Sequence, residues 1–463
     1  MSVIPGSVAA RDVASVLHPY TNPALIEEQG PMIMARAEGI HMWDEQGNKY
    51  IEGLGGLWCT SLGYGNEELA QTAYDQMKTL AYSHMFLGKS HEPGILLAEK
   101  IKEMVPMDAS KVFFGCSGSD ANDTQVKLMW YYNNAIGRPN KKKIISRVKA
   151  YHGITLAATS LTGLAPMHAY FDAPLNERFL HTDTPHYYRC AEPGESEEDF
   201  STRLAGNLEA MILDEDPETV AAFIAEPVMG AGGVLVPPAG YFEKVQAVLD
   251  KYDILFIADE VVTGFGRTGN PFGAQTFNFK PDTMSLAKAL TSAYQPLSAV
   301  VIPETINAAI ADASAEVGNF AHGYTFSGHP VAAAVGLKAL EIYEREKIFE
   351  KSAATSPRFQ QCLQTFSDHP LVGEARGVGM IGACELVADK STKEPFDPEA
   401  KVGAYCLSRC HANGLIIRAM GDIMAFCPPL IVSDDEVGEI FDRFGRALDE
   451  TLDWVTREGL STA

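Results

Sequence analysis

Short, uninterrupted apolar segments that alternate with helical segments constrain the fold of this chain more than any other feature of its sequence. Strands covered by helices on both faces are apolar along their whole length, whereas half-exposed strands alternate. Six segments show the continuous apolar pattern of covered strands: KVFFGC (111–116), KKIISRV (142–148), AAFIAEPV (221–228), DILFIADEV (253–261), DTMSLAK (282–288) and SAVVI (298–302). Between them lie helical patterns, for example at 120–134, where Val126, Met129 and Trp130 share one face. We predict an α/β fold with a large, mostly parallel sheet and helices on both faces.

The two ends of the chain have a different pattern. Residues 38–53 predict a β-hairpin, because two short apolar runs flank a turn rich in Asp, Gly and Asn. A single long helix is predicted over 331–353, and strands mix with helices from about residue 371 onward: strands at 382–387, 414–420 and 425–430, helices at 400–413 and 434–456. We therefore predict an N-terminal segment (1–60) that joins a small domain, a large domain (61–330), and a smaller C-terminal α+β domain (331–463).

Composition and charge exclude several classes of protein. The 463 residues are 46% hydrophobic, as in globular proteins, and their net charge of −23 disfavours nucleic acid as the main partner. No segment is long and apolar enough to span a membrane, and the N-terminus lacks a signal-peptide pattern, so we expect a cytoplasmic protein. The eight cysteines form no CxxC pair and are expected to be reduced. Cys406, Cys410 and His411 lack zinc-ligand spacing, so no metal site is predicted.

Two GxGxxG segments, at 264–269 and 377–382, do not predict a dinucleotide site. Such a site needs the glycines between a strand and a helix. The first segment is followed by Asn270-Pro271, which prevents the helix, and the second leads into a strand pattern.

An anion site is predicted where the strand 111–116 meets the helix 120–134. The connecting residues Ser117, Gly118, Ser119 and Asp120 are small or polar. Small residues let backbone N–H groups approach an anion, and the helix N-terminus adds a positive dipole. The same residues also fit an ordinary helix N-cap.

Two ionisable residues follow buried strands farther along the chain. Asp259 ends the apolar strand 254–258, and ligands of open α/β sheets bind at such carboxyl ends. The neighbouring Glu260 is expected to point the opposite way. Lys288 is a lone lysine among apolar and small residues, where desolvation favours the neutral amine that attacks carbonyls. Tyr151 and His152 follow a third strand and supply a ring and an imidazole.

A phosphate-binding turn, a strand-end carboxylate and an apolar lysine together suggest pyridoxal phosphate. In such sites the lysine forms a Schiff base and the acid partners the pyridine nitrogen. The sequence also resembles the class III (subgroup II, or ω-) aminotransferases. The resemblance is carried by FIADEVVTGFGRTG and MSLAKALTSAYQPLSAVV, with support from FFGCSGSDAND, KAYHGIT, IAEPVMGAGGV, HGYTFSGHP and RGVGMIGACEL, and extends from about residue 15 to 455.

The resemblance implies a fold type I pyridoxal-phosphate transferase and assigns roles to individual residues. Lys288 matches the Schiff-base lysine and Asp259 the partner of the pyridine nitrogen. The other cofactor contacts implied are Ser117, Gly118 and Ser119 at the phosphate, Tyr151 stacked on the ring with His152 beside it, Val261 on the opposite face, Glu226 near the ring, and Tyr324 and Thr325 from the other subunit. The last pair implies a homodimer with shared active sites, in which two dimers could pair into a tetramer. Asp120 stands where the family usually has Glu.

The implied reaction transfers an amino group from an amine or ω-amino acid to a keto acid, with pyruvate as the expected acceptor, by a ping-pong mechanism. Trp58 matches an aromatic residue of the substrate pocket, Arg418 an arginine that pairs with the keto acid's carboxylate, and Phe86, Ala231 and Tyr151 are further candidates for the pocket. Three alternatives remain open from the sequence: an aminomutase of the glutamate-1-semialdehyde type, a decarboxylase of the dialkylglycine type, and a non-enzymatic binding module.

Overall fold

A computed structural model describes residues 4–461 of the chain. The strands are β1 (Met34–Glu38), β2 (His41–Asp44), β3 (Lys49–Glu52), β4 (Lys111–Gly115), β5 (Lys143–Arg147), β6 (Phe179–Thr182), β7 (Val220–Ala225), β8 (Leu255–Asp259), β9 (Thr283–Leu286), β10 (Ser298–Ile302), β11 (Val372–Val378), β12 (Ile381–Leu386), β13 (Leu415–Ile416), β14 (Arg418–Met420) and β15 (Ile423–Phe426). The α-helices are α1 (Val8–Val13), α2 (Pro23–Gln29), α3 (Gly55–Trp58), α4 (Glu67–Leu80), α5 (Glu92–Met104), α6 (Gly118–Ala135), α7 (Leu156–Leu161), α8 (Tyr187–Cys190), α9 (Glu197–Asp214), α10 (Tyr241–Lys251), α11 (Gly273–Thr276), α12 (Glu304–Val317), α13 (Pro330–Arg345), α14 (Ile348–Gln364), α15 (Val402–Ala412) and α16 (Asp434–Glu458).

A seven-stranded sheet in the order β4-β10-β9-β8-β7-β5-β6 forms the centre of the molecule. Strand β10 runs antiparallel to the other six strands, which are parallel to one another, so the predicted mostly parallel sheet is confirmed. All residues of β7, β9 and β10 are buried, since helices cover both faces of the sheet. The carboxyl ends of β4, β5, β7, β8 and β9 therefore lie at one edge, and the loops that follow them can meet there.

Two four-stranded sheets lie outside this core, in the orders β1-β2-β3-β13 and β11-β12-β15-β14. The predicted hairpin is confirmed as β2 and β3, and its turn is closed by the Asp44 carboxylate, which accepts hydrogen bonds from the N–H groups of Gln46 and Asn48. Strand β13 pairs in parallel with β3, with Leu415 opposite Ile51. This pairing joins the N-terminal part of the chain to its C-terminal part, whereas the exact domain boundaries stay predictions.

Two predicted elements are divided in the structure. The helix expected over 331–353 is wrong as a single element, because Lys347 adopts a left-handed conformation (φ 53°) that separates α13 from α14. The strand expected over 414–420 is divided between two sheets, β13 in one and β14 in the other. Within residues 4–461, none of the helices combines the length and apolar character that crossing a bilayer requires.

Candidate active site

The loops that follow five strands of the central sheet carry most of the predicted site residues. Ser117 follows β4, Tyr151 follows β5, Glu226 follows β7, Asp259 ends β8 and Lys288 follows β9. These residues are far apart in sequence, and they gather because parallel strands present their carboxyl ends at one edge.

Asp259 is buried and held by three donors. Its Oδ2 accepts hydrogen bonds from Asn122 Nδ2 (2.7 Å) and lies 2.8 Å from His152 Nδ1, and its Oδ1 accepts from the N–H of Val261 (3.1 Å). The other ring nitrogen of His152, Nε2, is buried without a partner among the described residues. The Asp259 carboxylate is therefore fixed in orientation, while the neighbouring His152 Nε2 can still bind a further polar group.

Glu260 points away from this cluster, as strand alternation predicts. Its carboxylate accepts hydrogen bonds from the N–H groups of Gly273 (3.0 Å) and Ala274 (2.7 Å) and from the Thr263 hydroxyl. The two adjacent acids thus have separate environments, and Asp259 alone faces the loop residues of the site.

Lys288 lies in the turn after β9 with a positive φ of 48°, an uncommon conformation for a residue with a side chain. Its Nζ is 5.6 Å from the centre of the Trp58 ring. Desolvation lowers the pKa of Lys288, and the negative charge of Asp259 opposes that shift only in part. The balance favours the neutral amine that can act as a nucleophile.

The segment that begins α6 combines an N-cap with open backbone donors. Ser117 Oγ accepts a hydrogen bond from the Asp120 N–H, and the Asp120 carboxylate accepts one from the Ser117 N–H, so the two form a capping box. The N–H groups of Gly118 and Ser119 fall in the first turn, where no intrahelical acceptor is available. Both sequence interpretations, the N-cap and the anion site, thus fit the same turn because they use different N–H groups.

Two close approaches at this turn require glycine. A Cβ on Gly118 would lie 2.9 Å from Val261 Cγ1, and one on Gly153 would lie 2.7 Å from Ser119 Cα. Gly153 also has a φ of +131°. The loops after β4, β5 and β8 are therefore packed together around the start of α6.

Glu226 connects two loops of the site. Its Oε1 accepts a hydrogen bond from the Tyr151 N–H and its Oε2 accepts one from the Gly230 N–H, both at 2.9 Å. Burial raises the pKa of Glu226, a shift that His152 and the Tyr151 N–H oppose. Glu226 therefore fixes the backbone of Tyr151 and of the 229–235 loop, which contains Ala231.

Trp58 and Arg418 lie together with an aromatic residue that the sequence interpretation missed. The Arg418 guanidinium carbon is 5.8 Å from the centre of the Trp58 ring and 5.4 Å from that of Tyr20. Among residues 4–461, no hydrogen bond or ion pair involves that guanidinium. An arginine held by two rings and without a carboxylate partner is available to an anionic ligand.

Phe86 and Thr325 lie in exposed segments of this chain, whereas Tyr324 reaches the start of α6. A Cβ on Gly323 would lie 2.6 Å from Phe86 Cε1, and the Thr325 carbonyl accepts a hydrogen bond from the Tyr82 hydroxyl (2.8 Å). The Tyr324 hydroxyl donates to the Asp120 carbonyl (3.0 Å). Phe86 and Thr325 are exposed. Their role in a site shared between subunits stays a prediction.

Asn122 and Tyr20 carried no signal that sequence reasoning could use. Asn122 is one of several polar residues on α6, and only the fold brings its side chain to Asp259. Tyr20 lies between two short helices, α1 and α2, that have no buried residues. A tyrosine there is indistinguishable in sequence from an ordinary exposed one.

The residues present fit pyridoxal phosphate. The Gly118 and Ser119 N–H groups could donate hydrogen bonds to the phosphate. Asp259 could pair with a protonated ring nitrogen, and the Lys288 amine could bond to the aldehyde carbon. Within residues 4–461, His152 Nε2 and Trp58 Nε1 are buried without a partner, which is an independent sign that polar ligand atoms belong among these loops.

Comparison with known proteins gives one consistent family. The profile of the family "Aminotransferase class-III" matches residues 25–448. Gamma aminobutyrate transaminase 1, mitochondrial, of Solanum lycopersicum is 51% identical over 94% of this chain and 85% of its own length, and gamma aminobutyrate transaminase 2 of the same species is 50% identical over 94% and 95%. The omega transaminase from Pseudomonas jessenii, solved in complex with PMP, is 54% identical, has a TM-score of 0.96 and covers 97% of this chain and 99% of its own.

Proposed function

Because this chain belongs to the class-III aminotransferases, which use pyridoxal phosphate, we propose that it moves the amino group of an amine or ω-amino acid to a short keto acid such as pyruvate. The general activity, transfer of an amino group to a keto acid, follows from the family. The donor and acceptor classes, the residue roles and the dimer are the proposal.

Lys288 and Asp259 carry the chemistry in this proposal. Bound pyridoxal phosphate supplies an electron sink that makes a proton on the amine-bearing carbon removable. Lys288 would hold the cofactor through its Nζ and, as a free neutral amine, would move that proton, which its lowered pKa favours. Asp259 holds a proton at the ring nitrogen, and His152 and Asn122 keep its carboxylate oriented.

The single observation that carries the choice of substrate is the guanidinium of Arg418, which lies next to Trp58 and is unpaired among the described residues. The ring of Trp58 is within 6 Å of both the Arg418 guanidinium carbon (5.8 Å) and Lys288 Nζ (5.6 Å). Lys288 and Arg418 therefore border the same ring, and a substrate that lies along Trp58 would present its carboxylate to Arg418. A planar guanidinium forms two parallel hydrogen bonds to a carboxylate, which suits a keto acid or an ω-amino acid.

The proposal includes a homodimer with shared sites. Tyr82, Phe86, Leu87 and Phe326 are large apolar side chains exposed next to Thr325. A cluster of this kind is typical of a surface that another protein covers. A second copy of the chain would bring its Phe86 and Thr325 toward the substrate and phosphate sides of this site.

A donor and acceptor panel tests the proposal. The purified holoenzyme is given γ-aminobutyrate or 1-phenylethylamine as donor and pyruvate or 2-oxoglutarate as acceptor, and the alanine or glutamate formed is quantified. We expect turnover with an amine or ω-amino acid and pyruvate. Turnover only with 2-oxoglutarate, or with none of these donors, would contradict the proposed substrate class. Two of the relatives from Solanum lycopersicum carry mitochondrial or chloroplastic names, whereas gamma aminobutyrate transaminase 2 does not, so a cytoplasmic location stays a prediction that fractionation of the native host can test.

A further inference from the structure

A tight turn at residues 230–234 packs next to Trp58. Its backbone is strained, so the turn needs support from residues outside it. The N–H groups of Gly233 and Val234 both donate to the Gly230 carbonyl, at 3.1 and 2.9 Å. Val234 is buried with a φ of +53°, which is a genuine outlier for a β-branched residue. Strained residues persist only where the surroundings hold them, and they concentrate at ligand sites.

Arg376 on β11 supplies that support from the C-terminal part of the chain. Its Nε and Nη2 both donate to the Gly233 carbonyl, at 2.9 and 2.7 Å. The side chain is buried, and a Cβ on Gly233 would lie 3.1 Å from Arg376 Nη2. Two charge-assisted hydrogen bonds to one buried carbonyl fix the turn against the sheet that contains β11.

Arg376 is itself oriented by two carboxylates. Its Nη1 donates to Glu374 and to Glu385 (2.7 Å), and Glu385 also accepts from Arg189 Nε (2.6 Å). His186, Glu374 and Glu385 place three potential ligand atoms within 4.8 Å of one another. The positive charges of Arg376 and Arg189 balance the negative charges of Glu374 and Glu385. The cluster is therefore explained as the support of Arg376 and needs no metal ion.

The turn transmits this restraint to the substrate side of the site. The Gly230 N–H is bound by Glu226, which also binds the Tyr151 N–H. Gly230 packs so closely on Trp58 that a Cβ there would overlap the ring. Ala231 packs in the same cluster as Trp58.

We propose that Arg376 is a positioning residue that sets the size of the substrate pocket, by fixing the 230–234 turn against Trp58. Among residues 4–461, Arg376 contacts the turn and two carboxylates but neither Lys288 nor Asp259. Its effect is therefore read from the ratio of two donors on one holoenzyme, in which a change of cofactor content cancels. This inference rests on the proposed function, since it takes the space beside Trp58 and Ala231 as the amine pocket.

The test compares Arg376→Lys with the matched control Arg189→Lys. Lysine keeps the positive charge but cannot fork onto the Gly233 carbonyl and the carboxylates together. Arg189 pairs with the same Glu385 but does not touch the turn. For each holoenzyme, single-turnover spectroscopy of the cofactor gives kcat/KM for alanine, a small donor, and for 1-phenylethylamine, a bulky one.

We expect Arg376→Lys to shift the ratio of bulky to small donor about tenfold toward the bulky one, the scale of a methylene-sized change in an apolar pocket. The turn moves away from Trp58 once it is released, so the small donor loses contacts while the bulky one gains space. The cofactor spectrum stays as in the parent, and Arg189→Lys keeps the ratio within about twofold. An unchanged ratio in Arg376→Lys, or an equal shift in Arg189→Lys, overturns the inference.

Hydrogen exchange of the peptide covering 229–235 gives a second readout that needs no substrate. Exchange there should accelerate in Arg376→Lys and not in Arg189→Lys, and unaccelerated exchange overturns the inference by itself. If the parent enzyme accepts neither donor, the proposed substrate class fails and exchange alone decides the role of Arg376. If Arg376→Lys does not fold, Glu374→Gln replaces it, because Glu374 contacts Arg376 from its more exposed side, and a smaller shift in the same direction is expected.

Discussion

His152 Nδ1 lies 2.8 Å from Asp259 Oδ2, and both side chains are buried at the carboxyl edge of the central sheet. Asn122 Nδ2 donates to the same oxygen at 2.7 Å. Among the described residues, the remaining oxygen, Oδ1, is bound only by the Val261 N–H, at 3.1 Å. One oxygen of the carboxylate thus serves to orient the group, while the other retains capacity for a ligand.

We expect Asp259→Asn to bind pyridoxal phosphate but to lose turnover by about 10- to 150-fold, since a neutral amide cannot hold the proton on the ring nitrogen and a charge-assisted hydrogen bond contributes about 1.5–3 kcal/mol. Cofactor content and kcat are measured on the same preparation. The matched control is Asp282→Asn, since Asp282 accepts from the Phe256 N–H near the opposite edge of the sheet. Near-parental turnover in Asp259→Asn would contradict the role of Asp259.

Borohydride reduction of the holoenzyme is expected to fix the cofactor on Lys288, and peptide mapping by mass spectrometry locates the label. Desolvation lowers the pKa of Lys288, so the rate of cofactor attachment to the apoenzyme should rise with pH to a plateau reached below the ordinary lysine pKa of 10.5. Lys141 is the internal control, because it is also buried but its Nζ donates to the carbonyls of Tyr252 and Asp253. A label on any other lysine would refute the assignment of Lys288.

Arg418→Ala should weaken the half-reaction with pyruvate by about 10- to 150-fold in kcat/KM, the equivalent of one charge-assisted hydrogen bond of about 1.5–3 kcal/mol. The half-reaction with the uncharged 1-phenylethylamine should change little, since it presents no carboxylate. Single-turnover spectroscopy separates the two. Arg409→Ala is the control, because Arg409 pairs with Glu450 on the surface of the C-terminal part. Equal losses in both half-reactions would instead indicate a structural role for Arg418.

Gly153→Ala should raise the Kd for pyridoxal phosphate by about tenfold or more, because the added methyl group meets Ser119 at a backbone φ of +131° and pushes apart the loops around the phosphate turn. The affinity is measured by titrating the apoenzyme. Gly137→Ala is matched to it, since Gly137 also has a positive φ (+79°) but no atom within 4 Å of the added Cβ. The two variants should differ in cofactor affinity, and equal affinities would argue against a role of the packed loops around the phosphate turn in cofactor binding.

The stability of the protein should depend on pH through Glu52, which is buried at the start of the segment that leads to Trp58. Burial raises the pKa of Glu52 from 4.5 to about 7, against opposing hydrogen bonds such as that from the Leu54 N–H. Between these values the folded state holds a proton that the unfolded state has lost. The free energy of unfolding therefore falls as pH rises through this range.

Glu52→Gln removes this pH-dependent loss of free energy of unfolding while keeping the shape of the side chain. The variant and the parent should have the same melting temperature below about pH 4, and the variant should become more stable above pH 7, by an amount on the order of 3 kcal/mol. Scanning calorimetry at a fixed protein concentration measures the difference. Glu68→Gln is the control, since Glu68 forms an exposed ion pair with Arg345 and gives no such gain. A difference that does not grow with pH would rule out Glu52 as the source.

The sequence by itself determined the central sheet, because β-strands such as 220–225 and 298–302 are apolar throughout and can be buried only between helices. It also determined the candidates Lys288 and Asp259, since an ionisable residue beside an apolar strand is visible as a local contrast. The division at Lys347 and the separation of β13 from β14 were not visible, because a left-handed residue and a change of sheet leave the hydrophobic pattern continuous.

Only the tertiary structure decided which residues surround those candidates. Asn122 reaches Asp259 across 137 positions of sequence, and Arg376 reaches the Gly233 carbonyl across 143. Tyr20 meets Arg418 in the same way. Local sequence patterns report the period and burial of one element at a time, whereas these contacts depend on how separate elements pack. The identities of single residues therefore determine the chemistry of the site, whereas the packing of the loops that carry them determines its geometry.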